Sequence, residues 1–414
     1  MPEKAYLCRK FKKMKHLLLF LCTALALTAC RHSEEEETGP AQRTVIVYVA
    51  AENNLSSFTR SDLNEMTRGS ALLDKRQKLV AFIDDAETAH PYIVEMKEGR
   101  RDTVLTYDED FYSSDPERFR EVIATIEERF PAESYGLVLW GHAKGWIVED
   151  SIAQSRARKA YGVDTGSNLA VEHSFKSRWM NITQMARALE TLPHLRFIFA
   201  DCCCMMCAEV AYELRNTADY LIGSPAEIPG SGAPYEKILP MLYSTANDFY
   251  RQIIDTYYDY YLDAKYSGCS LPLSVVDMSQ MEELAAATRM VLREPSDYVT
   301  DQIAYYYRNK SDLPLMFDMC SIMERNLDDN NYREWKTALD KAVPYRRFSE
   351  RWITDMDNFD VYKGFSTSIF TEDNYGGLSM FVPKPEYNFS PFFDFNNDIR
   401  KFGWYYAVDW GRFF

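Results

Sequence analysis

What most constrains this chain is a recurring unit. A short, largely apolar run closes on polar residues, and a stretch with helical spacing follows. Residues 44–50 (Thr-Val-Ile-Val-Tyr-Val-Ala), 78–83, 137–140 (Leu-Val-Leu-Trp) and 197–200 (Phe-Ile-Phe-Ala) are such runs. A strand apolar on both sides must be covered on both faces, the condition of a parallel sheet between helices. Helical patterns at 61–73, 116–130 and 183–192 alternate with the runs, and the alternation predicts a mostly parallel sheet in an α/β/α sandwich. Ser114-Asp115-Pro116-Glu117 signals the second helix with a capping residue, a first-turn proline and an acid. In such sheets chemistry collects beyond the carboxyl ends of the strands.

Residues 91–96 and 102–107 flank Glu98-Gly99-Arg100 and read as a hairpin. From 148 to 177 the chain is polar and unpatterned, with Arg156, Arg158 and Lys159 clustered in it. That length without pattern points to a functional or cleavable loop. A short strand at 220–223 leads into a loop at 227–235, and 247–261 is helical and rich in tyrosine. A strand at 271–276, helices at 278–293, 296–308 and 332–343, and an antiparallel pair at 361–370 and 378–382 complete a largely helical C-terminal subdomain. The chain thus divides into 1–29, 30–41, 42–245 and 246–414.

Residues 1–29 are not part of the fold. A basic front (Lys10, Lys12, Lys13, Lys15) precedes an apolar run at 17–27, too short to span a bilayer comfortably, so the segment reads as a secretion signal. Its close, Leu27-Thr28-Ala29-Cys30, resembles the lipobox of bacterial lipoproteins, which implies lipidation of Cys30 and a membrane anchor. The tether at 30–41 contains Glu34 to Glu37 and buries nothing. Such an acidic run resembles signals that carry lipoproteins to the outer face of some Gram-negative outer membranes. The net charge of −15 argues against nucleic acid as a partner.

Of nine cysteines, four crowd into Cys202-Cys203-Cys204-Met205-Met206-Cys207, which is no disulfide framework. Cys204 and Cys207 have C-x-x-C spacing, but no second pair or nearby histidine completes a zinc set, so no metal is expected. A redox role for that pair is a separate reading. A thiol at a strand end, with a helix N-terminus behind it to favour the thiolate, is a recurrent nucleophile. Such a thiol needs a base, and only His142, in Gly141-His142-Ala143, directly follows a buried strand.

The two segments together resemble the clostripain family of cysteine peptidases, related in fold to caspases and gingipains. Trp140-Gly141-His142-Ala143-Lys144-Gly145-Trp146 is similar to the family's histidine motif. Asp201-Cys202-Cys203-Cys204-Met205, with Glu209-Val210-Ala211-Tyr212-Glu213, is similar to its nucleophile motif. The register makes Cys203 the nucleophile, with Cys202 and Cys204 in the alanine and leucine places. Tyr48 to Leu55, Tyr161 to Asp164, Gly230 to Tyr235 and Gly377 to Pro383 also look alike, so the resemblance spans roughly residues 42–414. It implies a caspase-like core at 42–245 and a Cys203–His142 dyad working through an acyl-enzyme. It also implies an oxyanion hole from the N–H groups of Ala143 and Cys203. Asp201, in the family's specificity position, would pair with arginine or lysine on the acyl side; helix capping is its other reading. Activation by cutting at Arg156, Arg158 or Lys159 is implied as well. Some members need calcium, but no EF-hand-like run is present, and no cofactor is expected. Two departures stand out: Ala143 replaces a glycine, and the neighbouring thiols are able to form a silencing disulfide. They support a rival reading, a non-catalytic surface lipoprotein that uses the fold as a binding module.

Overall fold

Arg43–Ala51 (β1) is buried along its whole length, and its side chains alternate between two separate cores. Ile46, Tyr48 and Ala50 point into one, Val45, Val47, Val49 and Ala51 into the other. The period-2 alternation of a strand places a hydrophobic layer on each side of the sheet. The computed structural model describes residues 39–148, 160–168, 177–264, 271–300, 304–308, 313–349, 372–389 and 393–413. Cys30, the leader, most of the tether, the Arg156, Arg158 and Lys159 cluster and the expected strand at 361–370 lie outside them.

Beside β1 run Gln77–Asp85 (β2) and Tyr135–Gly141 (β5), then Leu195–Asp201 (β8) and Ala218–Gly223 (β9), all mutually parallel. Tyr92–Lys97 (β3) and Arg100–Thr106 (β4) extend one edge antiparallel. Their turn has positive φ at both Glu98 and Gly99, the two-residue form that matches strand twist. Leu273–Asp277 (β10) and Tyr345–Arg347 (β13) extend the other edge, also antiparallel. The order is β13-β10-β9-β8-β5-β1-β2-β3-β4. Strands from the C-terminal region therefore complete the sheet that begins at β1, within one compact unit, Ala41–Phe414.

Ser56–Gly69 (α1) packs Leu63 and Met66 into the second core, where Tyr250–Ala264 (α5) adds Ile253, Ile254 and Tyr257. Pro116–Arg129 (α2) brings Phe119, Val122, Ile123 and Ile126 to the first core, joined by Ile182–Leu189 (α3) and Ala208–Leu214 (α4). Each such fully buried side chain contributes about 1.5–3 kcal/mol relative to exposure. Asp115 caps α2 by accepting from the N–H groups of Glu117 and Arg118 at 3.0 and 3.1 Å.

The helix expected at 296–308 is not formed. Pro295–Asp297 is a single 3-10 turn, and Ala304–Arg308 (β11) is a strand paired antiparallel with Leu313–Asp318 (β12). The run Tyr305-Tyr306-Tyr307 suits a pleated surface better than a helix. Ser379–Met380 (β14) pairs antiparallel with β12. Tyr161–Asp164 (β6), inside the unpatterned stretch, pairs antiparallel with Arg178–Met180 (β7) just past its end.

Candidate active site

Chain order reverses direction across the sheet between β1 and β5, the switch point at whose carboxyl edge such sheets bind ligands. Three polypeptide segments leave that edge together: Glu52-Asn53-Asn54 after β1, His142 after β5 and Cys203 after β8. The last rung between β5 and β8 pairs Trp140 with Asp201. His142 and Cys203 each follow that rung by two residues, past the ends of two adjacent parallel strands. The two motif segments also touch beyond the sheet. Gly145 has φ +55°, and a Cβ there would sit 2.5 Å from the Cys204 carbonyl oxygen and 3.2 Å from Cys207 Sγ. Only glycine fits. The next residue, Trp146, is fully buried with its ring 4.6 Å from Phe381.

His142 is held through its backbone and its ring. Its carbonyl accepts from Gly162 N–H at 2.7 Å, its ring lies 6.2 Å from that of Trp179, and Nε2 is 2.7 Å from Asn54 Oδ1. Ala143 forms an antiparallel bridge with Tyr161 whose hydrogen bonds flank it: Lys144 N–H to Ala160 O and Gly162 N–H to His142 O. In that kind of pair the residue's own N–H points away from the partner strand, so the bridge leaves the Ala143 N–H turned away from residues 160–162. Ala143 is not among the residues with left-handed φ; Gly141 and Gly145 on either side of it are. Alanine is therefore tolerated here without backbone strain.

Cys203 sits in a turn whose next residue, Cys204, has φ +61°. The turn is fixed to the exit of β9 by Cys204 N–H to Ala226 O at 2.9 Å and Met206 N–H to Ser224 O at 3.2 Å. Its thiol receives the Ile228 N–H at 3.4 Å. Burial pushes the thiol up to about 12, with the Glu227 charge adding, while the Ile228 N–H and Lys144 pull it back. The expected help from a helix N-terminus is not available. α4 begins only at Ala208, with Cys207 as its cap residue, and a helix dipole acts within about one turn. The resting sulfur is thus a protonated thiol, and deprotonation has to be coupled to a nearby base. Cys202, Cys204 and Cys207 are buried, free thiols raised further by burial, so no disulfide joins the cluster.

Asp201 does not cap α4. Its Oδ1 accepts from Tyr257 OH at 3.0 Å, and its Oδ2 from Tyr235 OH at 2.6 Å and Ala233 N–H at 3.0 Å. Three of a carboxylate's four lone-pair positions are occupied, which leaves no room for a bidentate guanidinium in this arrangement. Its carboxylate instead pins the 229–235 loop to the end of β8. Asp62 lies across Gly232, where a Cβ would meet Asp201 Oδ2 at 2.6 Å and Asp62 Oδ2 at 3.3 Å. Burial, and then the Asp201 charge, push Asp62 up to about 8.

The sequence gives no sign of a buried acidic group that forms at the exits of β1 and β2. One oxygen from each of Glu52, Asp84 and Asp164 lies within 4.8 Å of the others. Burial raises Glu52 to about 7 and Asp84 well above the carboxylate range. Burial raises Asp164 as well, and as an oxygen-only set the three are the described residues best suited to a hard divalent cation. Glu52 Oε1 also accepts from Ser167 Oγ and Asn168 N–H at 2.6 and 2.7 Å, which ties the β1 exit to residues 160–168. Asn54 likewise had no role of its own in the sequence beyond its place in the Tyr48 to Leu55 segment. Its place just past a central parallel strand was the available signal.

The Clostripain family model matches residues 47–414. No curated protein matches this sequence. A secreted C11 cysteine protease from Bacteroides thetaiotaomicron, solved in complex with an irreversible peptide inhibitor, is 29% identical with a TM-score of 0.73, over 90% of this chain and 100% of that one. An inactive zymogen C11 protease from Parabacteroides distasonis is 27% identical with a TM-score of 0.72, over 89% of this chain and 99% of that one. A further secreted C11 cysteine protease from Bacteroides thetaiotaomicron, at 20% identity and a TM-score of 0.71 over 89% of this chain and 99% of that one, shares the fold.

Proposed function

The chain belongs to the clostripain family of cysteine peptidases, and from that membership we propose that it cleaves peptide bonds through a Cys203–His142 dyad. The Cys203 proton passes to the His142 imidazole as sulfur attacks the carbonyl carbon. The N–H groups of Ala143 and Cys203 hold the oxyanion. On collapse the C–N bond breaks, and His142 gives its proton to the leaving amine. Water then attacks the thioester, His142 takes the proton from that water, and the sulfur leaves as the re-protonated thiol. The observation that carries this reading is that β5 and β8 are adjacent parallel strands paired as far as Trp140 and Asp201, each two residues short of His142 and Cys203. The close seat of Gly145 on Cys204 supports it.

Selectivity for arginine or lysine on the acyl side is part of the proposal. Its support is the negative charge around the thiol, from Asp201 and Glu227. With Asp201 engaged by three donors, that charge acts on a substrate cation as a field, or through the Tyr235 and Tyr257 hydroxyls, rather than as a fork. Processing at Arg156, Arg158 or Lys159 would activate the enzyme, and a lipid on Cys30 would hold it at the outer membrane, exposed to protein substrates. Secretion accords with the B. thetaiotaomicron relative, described as secreted. Among the described residues no helix is long and apolar enough to cross a membrane.

The test is labelling with an arginyl chloromethyl ketone followed by peptide mapping. The adduct is expected on Cys203; an adduct on Cys204 would overturn the assignment.

A further inference from the structure

We propose that Asn54 is the positioning residue of the catalytic imidazole, fixing its tautomer as well as its orientation. The inference rests on the Cys203–His142 reading above. Asn53 and Asn54 are adjacent and do different things. Asn53 spends its amide on the backbone: Nδ2 donates to Ala50 O at 3.1 Å and Val163 O at 2.8 Å, and Oδ1 accepts from Leu55 N–H at 2.8 Å. Asn54 is exposed, and its Oδ1 meets His142 Nε2 at 2.7 Å. An exposed loop side chain turned onto a functional ring, rather than onto its own backbone, is placed to serve that ring.

The contact determines where the protons sit. An amide oxygen accepts and does not donate, so Nε2 carries the hydrogen and the basic lone pair belongs to Nδ1. Nδ1 is then the atom that takes the Cys203 proton and returns it to the leaving amine. After that transfer both nitrogens carry hydrogen, and Asn54 Oδ1 still accepts from Nε2, so the bond survives every step of turnover. It strengthens in the imidazolium, when the donor is charged. A neutral amide favours the imidazolium less than a carboxylate would, which keeps the ring a ready acid toward the amine.

The loop that presents Asn54 is itself braced. The Glu52 carbonyl accepts from Thr165 N–H at 3.0 Å and Thr165 Oγ1 at 2.9 Å, and Asn53 Nδ2 reaches Val163 O. Residues 160–162, which hold the His142 backbone, belong to the same short segment. Ring and backbone of His142 are thus oriented from one rigid corner of the molecule. A misplaced general base costs about 10²-fold in rate.

The experiment compares wild type, Asn54→Ala and Asn54→Asp in kcat and KM for an arginyl-amide reporter across pH 5–9. It adds the rate of Cys203 alkylation by iodoacetamide, read by peptide mapping, in wild-type and His142→Ala backgrounds. Asn54→Ala is expected to lower kcat by about 10²-fold with KM nearly unchanged. Asn54→Asp is expected to recover much of that loss and to move the acid limb upward, because a carboxylate against Nε2 favours the imidazolium. In the His142→Ala background Asn54→Ala should not change alkylation further. Superimposable pH profiles for wild type and Asn54→Asp would refute the proposal, as would an Asn54→Ala effect on alkylation that persists without His142. If His142→Ala itself retains full turnover, the dyad fails first, a result separable from failure of Asn54 alone.

Discussion

Replacing Glu209 by glutamine should remove part of the pH dependence of stability while leaving the fold intact. Glu209 is fully buried in α4; its Oε1 accepts from Phe381 N–H at 2.8 Å, no N–H or O–H group of the described residues reaches its Oε2, and the Cys207 thiol adjoins the carboxyl. Burial raises the carboxyl from an ordinary 4.5 to about 8, against the pull of the Phe381 N–H. A raised carboxyl keeps its proton in the native state and loses it on unfolding. Its contribution is therefore whole below about pH 4.5 and lost as pH climbs through about 8. Each pH unit inside that window removes about 1.4 kcal/mol, or on the order of 4–5 kcal/mol across it. Glutamine keeps an oxygen for Phe381 and cannot ionise. Urea unfolding at pH 5, 6, 7 and 8 should give Glu209→Gln a slope shallower than wild type by about 1.4 kcal/mol per pH unit. Asp62, Glu52 and Glu127, raised to about 8, 7 and 7, preserve the remaining slope. Parallel curves for variant and wild type would show that this carboxyl is already charged in the native protein, and the reasoning from burial would fail.

Cys203→Ala and His142→Ala should each abolish cleavage of an arginyl-amide reporter, whereas Cys202→Ala and Cys204→Ala should retain it; loss with Cys204 alone would move the nucleophile. Gly145→Ala places a methyl group 2.5 Å from the Cys204 carbonyl at φ +55°. It should lower stability by about 1–3 kcal/mol and reduce turnover through the Cys203 turn, measured by thermal melting and kcat; an unchanged melt would refute the close contact. Asp201→Asn removes the charge but keeps an acceptor for Tyr235 or Tyr257, and should narrow the preference for arginyl over neutral amides, read as a ratio of kcat/KM. An unaltered ratio would assign the selectivity to another acid.

The sandwich was legible because strands buried on both faces carry an unmistakable composition. Val45 to Ala51 and Phe197 to Ala200 admit few other folds. The candidate site rests on a related argument: residues placed just past such strands gather at one rim, and on that ground the sequence proposes His142 and Cys203 as a pair. Interactions between residues distant in sequence were not legible. The use of Asp201 depends on Tyr235 and Tyr257 arriving from a loop and a helix far along the chain. The Glu52, Asp84 and Asp164 group forms only when three separate segments meet. The 304–308 strand was misread because its pairing partner, Leu313–Asp318, decides the outcome, and local periodicity carries no record of a partner.

The rung that joins β5 to β8 has one further consequence. The segment holding Arg156, Arg158 and Lys159 runs between those two strands in sequence, so a scission there would put the imidazole on one polypeptide and the sulfur on another. The halves would stay zipped along the seam from Tyr135–Leu195 to Trp140–Asp201. Such a nicked enzyme would migrate as a single particle in native buffer and as two bands in detergent, with its reactive pair straddling the join.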